Sequence, residues 1–334
     1  MRIAVVGAGA IGGYLAAKLV AAGEEVTVIA RGANLEAIRA RGLKLILEDG
    51  SAIEARELRA CERCEEAGPQ DYVLLALKAH QVEPIARSVP SLFGERTALV
   101  TLQNGIPWWY FYHHGGAYAG RIVRSVDPNG AISAAIDSAR IIGCVVFPAA
   151  NLIAPGVIQL VEGNRFTLGE PDGSESPRMK ALAETLTRAG FKAPITTDIR
   201  GEIWLKLWGN MTFNPISALT HATLVDICQF PLTRELAATM MREAETVANK
   251  LGITFRVGIE RRIAGAERVG AHKTSMLQDI EQGRPIELDA LLGSVVELAA
   301  LTETPTPCIN AIYAATSLLA KTLETHQGRL QIGS

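Results

Sequence analysis

The feature that most constrains this chain is its first thirty residues. "RIAVVG" is a short, β-branched run of the kind that forms a buried parallel strand, and it leads directly into Gly7-Ala8-Gly9-Ala10-Ile11-Gly12. "GYLAAKLVAAG" then reads as a helix ending at Gly23, and "EEVTVIA" as the next strand. Strand, G-x-G-x-x-G, helix and strand follow one another at the length of a βαβ unit, the context that gives this spacing its meaning. Gly7 permits the tight turn, Gly9 lets backbone approach a pyrophosphate, and Gly12 allows the helix to pack close to the strand. Helix amides at its N-terminus then point at the phosphates, so Gly7, Ala8, Gly9, Ala10, Ile11 and Gly12 form the expected dinucleotide grip. The competing reading is a glycine-rich packing turn.

The end of the second strand bears on which dinucleotide. An NAD site usually places Asp or Glu there for the ribose 2′-hydroxyl. Here the strand ends "VIARG", with Arg31 where that acid is expected, while Glu24 and Glu25 come before the strand. A guanidinium suits a 2′-phosphate, which it meets with paired hydrogen bonds, so NADP is the expected cofactor. A solvated surface arginine is the alternative.

Composition narrows the class. A chain of 334 residues is long enough for two domains, and a net charge of −2 without long Lys or Arg runs argues against nucleic acid as a partner. Cys61 and Cys64 form a lone C-x-x-C with no second pair or His in zinc spacing, so no metal site is expected. Five cysteines without a secretory signal suggest reduced thiols and a cytoplasmic protein. The N-terminus loosely imitates a signal peptide, but its glycine spacing argues otherwise. No later apolar run is long enough to span a bilayer, so no membrane partner is expected.

Further apolar runs at 71–77, 97–102, 140–147, 156–161 and 165–169 read as strands of a sheet with a parallel dinucleotide-binding half and further strands, some of them antiparallel. "PGVIQLVEGNRFTLG" looks like a hairpin, and "GSESPRMKALAETLTRAGF" like an amphipathic helix ending at Gly190. From about residue 198 long helices take over, as in "TRELAATMMREAETVANKLG" and "ELDALLGSVVELAALT". The expected architecture is a Rossmann-type α/β dinucleotide-binding domain over 1–197 and an all-α domain over 198–334, with cofactor and substrate meeting in the cleft between. The tandem Trp108 and Trp109 fit a cleft wall, a packed loop or a subunit contact equally, and the adjacent His113 and His114 suggest no metal.

"IWLKLWGNMTFNPIS" (203–217) poses a separate problem. On a continuous helix Lys206, Asn210 and Asn214, four residues apart, share one face of an otherwise apolar segment, and Ser217 extends the stripe. Burying an ammonium and two amides without partners costs several kcal/mol. They therefore satisfy one another and the backbone, or face a cavity holding a polar ligand. Alternatively Lys206 snorkels to solvent, and Asn214 before Pro215 caps a new helix.

With the glycine fingerprint, "LKAHQV" (77–82), "LQNGI" (102–106), "WLKLWGNMTFNP" (204–215) and "SMLQDIEQGRPIELDAL" (275–291) together resemble the ketopantoate reductase family over nearly the whole chain. The resemblance implies that Lys78 and Gln81 sit near the cofactor, with Lys78 joining Arg31 around the 2′-phosphate. It places Asn104 between nicotinamide and substrate, and Ala149 at a backbone contact to the cofactor. Lys206 matches the catalytic lysine, Asn210 and Asn214 substrate-binding asparagines, Ser275 a substrate-carboxylate ligand, and Glu287 a contact to the nicotinamide ribose. Ser275, if it caps the "SMLQDI" helix, adds free backbone amides. The implied reaction is NADPH-dependent reduction of a 2-oxo acid, with ketopantoate the leading substrate. Two positions depart from the pattern: Leu224 and His272 stand where the family often carries asparagine. The loop holding "WWYFYHHGG" is also longer than in the shorter members. A related dehydrogenase for another branched or aromatic 2-oxo acid is one alternative, and an NADP-sensing regulator without turnover is another. A homodimer through the helical domain is an open expectation.

Overall fold

The computed structural model describes residues 1–330; the last four residues of the expected helical domain, 331–334, lie outside the described residues. The chain folds as two compact units. The first holds residues up to Gln103, then Pro107–Ile122 and Asp127–Ile199; the second takes Asn104–Ile106, Val123–Val126 and the chain from Arg200.

The first unit begins β1 (Arg2–Val6), α1 (Ala10–Ala21), β2 (Glu25–Ile29), α2 (Gly32–Arg41), β3 (Leu43–Ile46), β4 (Ala52–Ala55), β5 (Arg59–Cys61), β6 (Gln70–Leu75) and β7 (Phe93–Thr101). It continues α3 (Ala131–Ala135), β8 (Ile141–Val146), β9 (Ala149–Ala154), β10 (Val157–Glu162), β11 (Phe166–Gly169) and α4 (Pro177–Arg188). Seven strands form one sheet in the order β11-β8-β7-β6-β1-β2-β5, parallel except for β11, which runs antiparallel to β8. The interior strand β1 is apolar without alternation because both faces are covered: Ile3, Ala4 and Val5 are fully buried.

The hairpin expected over 155–169 does not form. β10 lies in a second sheet, ordered β4-β3-β10-β9, where it pairs with β3 in parallel and β9 antiparallel, whereas β11 joins the main sheet. The burial of the two strands shows why they part. Every residue of β11 is buried, as a main-sheet strand requires, while β10 buries only Ile158 and Leu160. That half-apolar face turns towards α1. At Gly13 an added Cβ would lie 2.6 Å from Ile158 Cδ1, so the missing side chain lets helix and second sheet close up. Accordingly α1 is buried nearly all round, from Gly12 to Ala17 and at Leu19.

The aromatic stretch is a packed loop. Trp108, Trp109, Tyr110 and Phe111 are all buried, the Trp109 indole donates to Thr101 Oγ1 at 3.0 Å, and glycine at 143 leaves room for its ring. The sheet edge is locked by Glu170, which follows β11. Arg178 Nε and Nη2 grip its carboxylate at 2.9 and 2.7 Å, and the same guanidinium reaches the carbonyls of Ala139 and Ile141.

The second unit is helical: α5 (Ile199–Thr220), α6 (Leu224–Gln229), α7 (Pro231–Lys250), α8 (Ile259–Val269), α9 (Ser275–Glu281), a π-helical turn Asp289–Gly293, α10 (Ser294–Leu301) and α11 (Pro307–Thr325). Trp204 and Trp208 of α5 are fully buried; the Trp208 indole stacks on Phe255 at 3.9 Å and donates to the Met241 carbonyl of α7. Glu243 of α7 accepts from the Cys308 and Ile309 amides, satisfying the positive end of α11. Among the described residues no helix is long and apolar enough to cross a membrane.

Arg178→Ala removes the guanidinium from the buried Glu170 carboxylate and leaves it the Ser176 hydroxyl, so it should destabilise the first unit by about 3 kcal/mol. Urea denaturation followed by tryptophan fluorescence measures this; an unchanged midpoint would remove the pair from any stabilising role.

Candidate active site

At the carboxyl end of β1 the backbone must turn within one residue, and Gly7 does so at φ +98°. A Cβ on Gly7 would meet the Ala76 carbonyl at 2.7 Å, and one on Gly12 would lie 1.9 Å from the Gly7 carbonyl, so both positions admit only glycine. At Gly9, the residue before α1, an added Cβ meets nothing within 4 Å. Its open side belongs to a cavity of about 850 Å³ lined by Gly7, Ala8, Gly9, Arg31, Asn34 and Gln81 among others. Close backbone, a helix N-terminus and an unfilled space beside the middle glycine are what a pyrophosphate needs, so the first unit fits a dinucleotide.

Arg31, the residue preceding α2, lines that cavity where an NAD-type acid is absent. Gln81 lines it too, and its Oε1 accepts from the Lys78 N–H at 3.0 Å, closing the short turn after β6. Lys78 itself is not among the lining residues; Arg63 and His80 are, as are Glu62 and Glu65. Ala149 opens β9 and pairs with Glu162 across the ladder.

Asn34 escapes a reading of the sequence. Its Nδ2 donates to the Ala8 carbonyl at 2.7 Å, and its Oδ1 accepts from the Gly156 N–H at 2.8 Å. The glycine-rich loop is thereby tied to the turn between β9 and β10. No local pattern marks such a residue, because its partners lie 26 and 122 positions away.

In the second unit α5 runs unbroken from Ile199 to Thr220 with Pro215 inside it, so Asn214 does not cap a new helix. Lys206, Asn210 and Asn214 therefore share one face. Ser217 does not extend that stripe as a ligand, since its hydroxyl donates to the Ala222 carbonyl just past the helix end. Lys206 Nζ donates to Asn104 Oδ1 at 2.6 Å, and Asn214 Nδ2 faces Ser275 Oγ at 3.5 Å. Asn210 is half-buried between them on the helix. Thr274, rather than Ser275, caps α9: its side chain accepts from the Leu277 N–H, which leaves the exposed Ser275 hydroxyl at the first helical position. Glu287 is half-buried just ahead of the π turn.

Comparison with known proteins decides the family. The model for "Ketopantoate reductase PanE/ApbA" matches residues 3–173 and that for "Ketopantoate reductase PanE/ApbA C terminal" residues 198–320. The chain belongs to the ketopantoate reductase family. It is 54% identical over 321 residues to a 2-dehydropantoate 2-reductase of Mesorhizobium japonicum, covering 96% of this chain and 98% of that one. A 2-dehydropantoate 2-reductase of Archaeoglobus fulgidus is 29% identical, with 89% of this chain and 90% of that one covered. The crystal structure of a 2-dehydropantoate 2-reductase from Geobacter metallireducens superposes with a TM-score of 0.83 at 28% identity, over 96% of this chain and 100% of that one. As a member of the ketopantoate reductase family, the protein is a dinucleotide-dependent oxidoreductase acting on a CH–OH group.

Gly9→Ala separates a ligand role from a structural one. Since the added methyl meets no protein atom within 4 Å, the melting temperature should hold while dinucleotide affinity falls at least about tenfold. Fluorescence titration with NADPH reads the affinity. Unchanged binding would move the pyrophosphate elsewhere.

Proposed function

We propose that this chain catalyses the NADPH-dependent reduction of 2-dehydropantoate to pantoate, with Lys206 as the proton donor. The observation that carries the reading is the 2.6 Å hydrogen bond from Lys206 Nζ to Asn104 Oδ1 on the polar face of α5. An ammonium has three N–H donors and four soft side-chain torsions, so tethering one N–H on a fixed amide oxygen gives it a direction. Reducing a 2-oxo acid builds negative charge on the keto oxygen. A directed ammonium stabilises that charge as it forms and then releases a proton to it. Asn210 and Asn214 add amides along the same face, and Ser275 adds a hydroxyl beside Asn214, a neutral donor set suited to substrate oxygens.

Bound NADPH supplies the hydride. Arg31 on the cavity beside Gly7–Gly9, with no acid at the end of β2, supports NADPH over NADH through a 2′-phosphate contact. The names carried by the Mesorhizobium japonicum and Archaeoglobus fulgidus relatives support ketopantoate as the substrate.

One observation favours a second reading. The Leu224 N–H donates to the His272 carbonyl at 3.0 Å, so the two positions that depart from the asparagine pattern are neighbours. Replacing two amides in one place by an isobutyl group and an imidazole suits a bulkier, less polar 2-oxo acid. Initial rates with ketopantoate beside a panel of branched and aromatic 2-oxo acids, each with NADPH and NADH, separate the readings. A kcat/KM preference for ketopantoate with NADPH supports the first; preference for another acid transfers the specificity to Leu224 and His272.

Lys206→Ala should lower kcat by about 10²–10⁴ while NADPH affinity stays within about twofold. Turnover at the parent rate would dismiss Lys206 as the proton donor.

A further inference from the structure

In an α-helix each carbonyl pairs with the N–H four residues on. The turn Asp289–Gly293 breaks that rule, because the Ser294 N–H bonds the Asp289 carbonyl, five residues back. The Ala290 carbonyl, which an α-helix would give to that N–H, accepts instead from the Ile106 N–H at 3.0 Å and from Ser294 Oγ at 2.8 Å. Gly105 lies so close that an added Cβ would stand 2.0 Å from the Ala290 oxygen, at φ +87°. The next residue back is Asn104, whose Oδ1 takes the hydrogen bond from Lys206. The turn is itself braced: Tyr313 Oη donates to Asp289 Oδ1 at 2.9 Å, and glycine at 293 keeps the space between them clear.

We propose that the π turn Asp289–Gly293 is the positioning element of the proton-donating pair. It releases the Ala290 carbonyl from the N–H four residues on, lends it to Ile106, and so holds Asn104 on Lys206. Ser294 and Gly105 are positioning residues in this scheme, since neither touches the ammonium. Ile106 is 1% exposed, and the Ala290 carbonyl is the acceptor that satisfies its buried N–H. This inference rests on the reading of Lys206 as proton donor, and two readouts keep the two ideas apart.

The first readout is a double-mutant cycle. Gly105→Ala should cut kcat at least about tenfold in the parent enzyme but less than about twofold in an Asn104→Ala background, because the group it positions is then missing. Ser294→Ala should lose about three- to fivefold with the same masking, and it carries the test if Gly105→Ala does not fold. The second needs no substrate: NMR titration of the Lys206 amine in the apoprotein. A hydrogen bond to the charged form favours it, so both variants should lower the Lys206 pKa. Losses of equal size in the two backgrounds, or an unmoved titration in both variants, overturn the proposal. A shifted titration in a protein that reduces no 2-oxo acid keeps the positioning role and removes the proton-donor reading.

Discussion

Holding an ammonium at the half-buried face of an apolar helix is the constraint on which the second unit depends. Lys206 shares α5 with Trp204 and Trp208, both fully buried, so the helix cannot rotate its polar stripe into solvent without exposing two indoles. The stripe must therefore be satisfied where it stands. Asn104 answers it from a three-residue segment that packs as part of the helical unit although it follows β7 in sequence. Ser275 answers it from the start of α9.

The first unit meets an analogous demand with backbone rather than side chains. Glycine at 7 and 12 removes the atoms that would separate β1 from α1, and glycine at 13 removes those that would separate α1 from the second sheet. One helix is thus clamped between two sheets, with its N-terminus fixed at the cavity edge. Asn34 completes the fixation by bonding both the glycine loop and the β9–β10 turn. Rigid placement of the loop's amides is what lets them act on a phosphate without reorganising.

Much of this is legible in the sequence, unevenly. The βαβ fingerprint and the four-residue stripe each depend on contacts within one or two turns, so their spacing in sequence is their geometry in space. The hairpin expected over 155–169 fails because two adjacent strands can belong to different sheets, and only the burial of each strand tells which. Ser275 yields the cap of α9 to its neighbour Thr274, since both residue types can cap a helix and one position decides. The aromatic loop is ambiguous in sequence because tryptophans pack in cores and clefts alike; Thr101 and glycine 143 show it packed.

What the sequence alone determined is local: glycines where backbone must close up, an arginine in place of an acid, and a lysine and two asparagines on one helical face. These are features of short stretches of chain, where spacing in sequence maps directly onto spacing in a helix or strand. What the tertiary structure decided is pairing over distance: Asn104 with Lys206 across 102 residues, Asn34 with Gly156 across 122, and the Ala290 carbonyl with the Ile106 amide. Such pairs carry no periodic signal, because either partner is an ordinary loop or helix residue until the fold brings the other within hydrogen-bond reach.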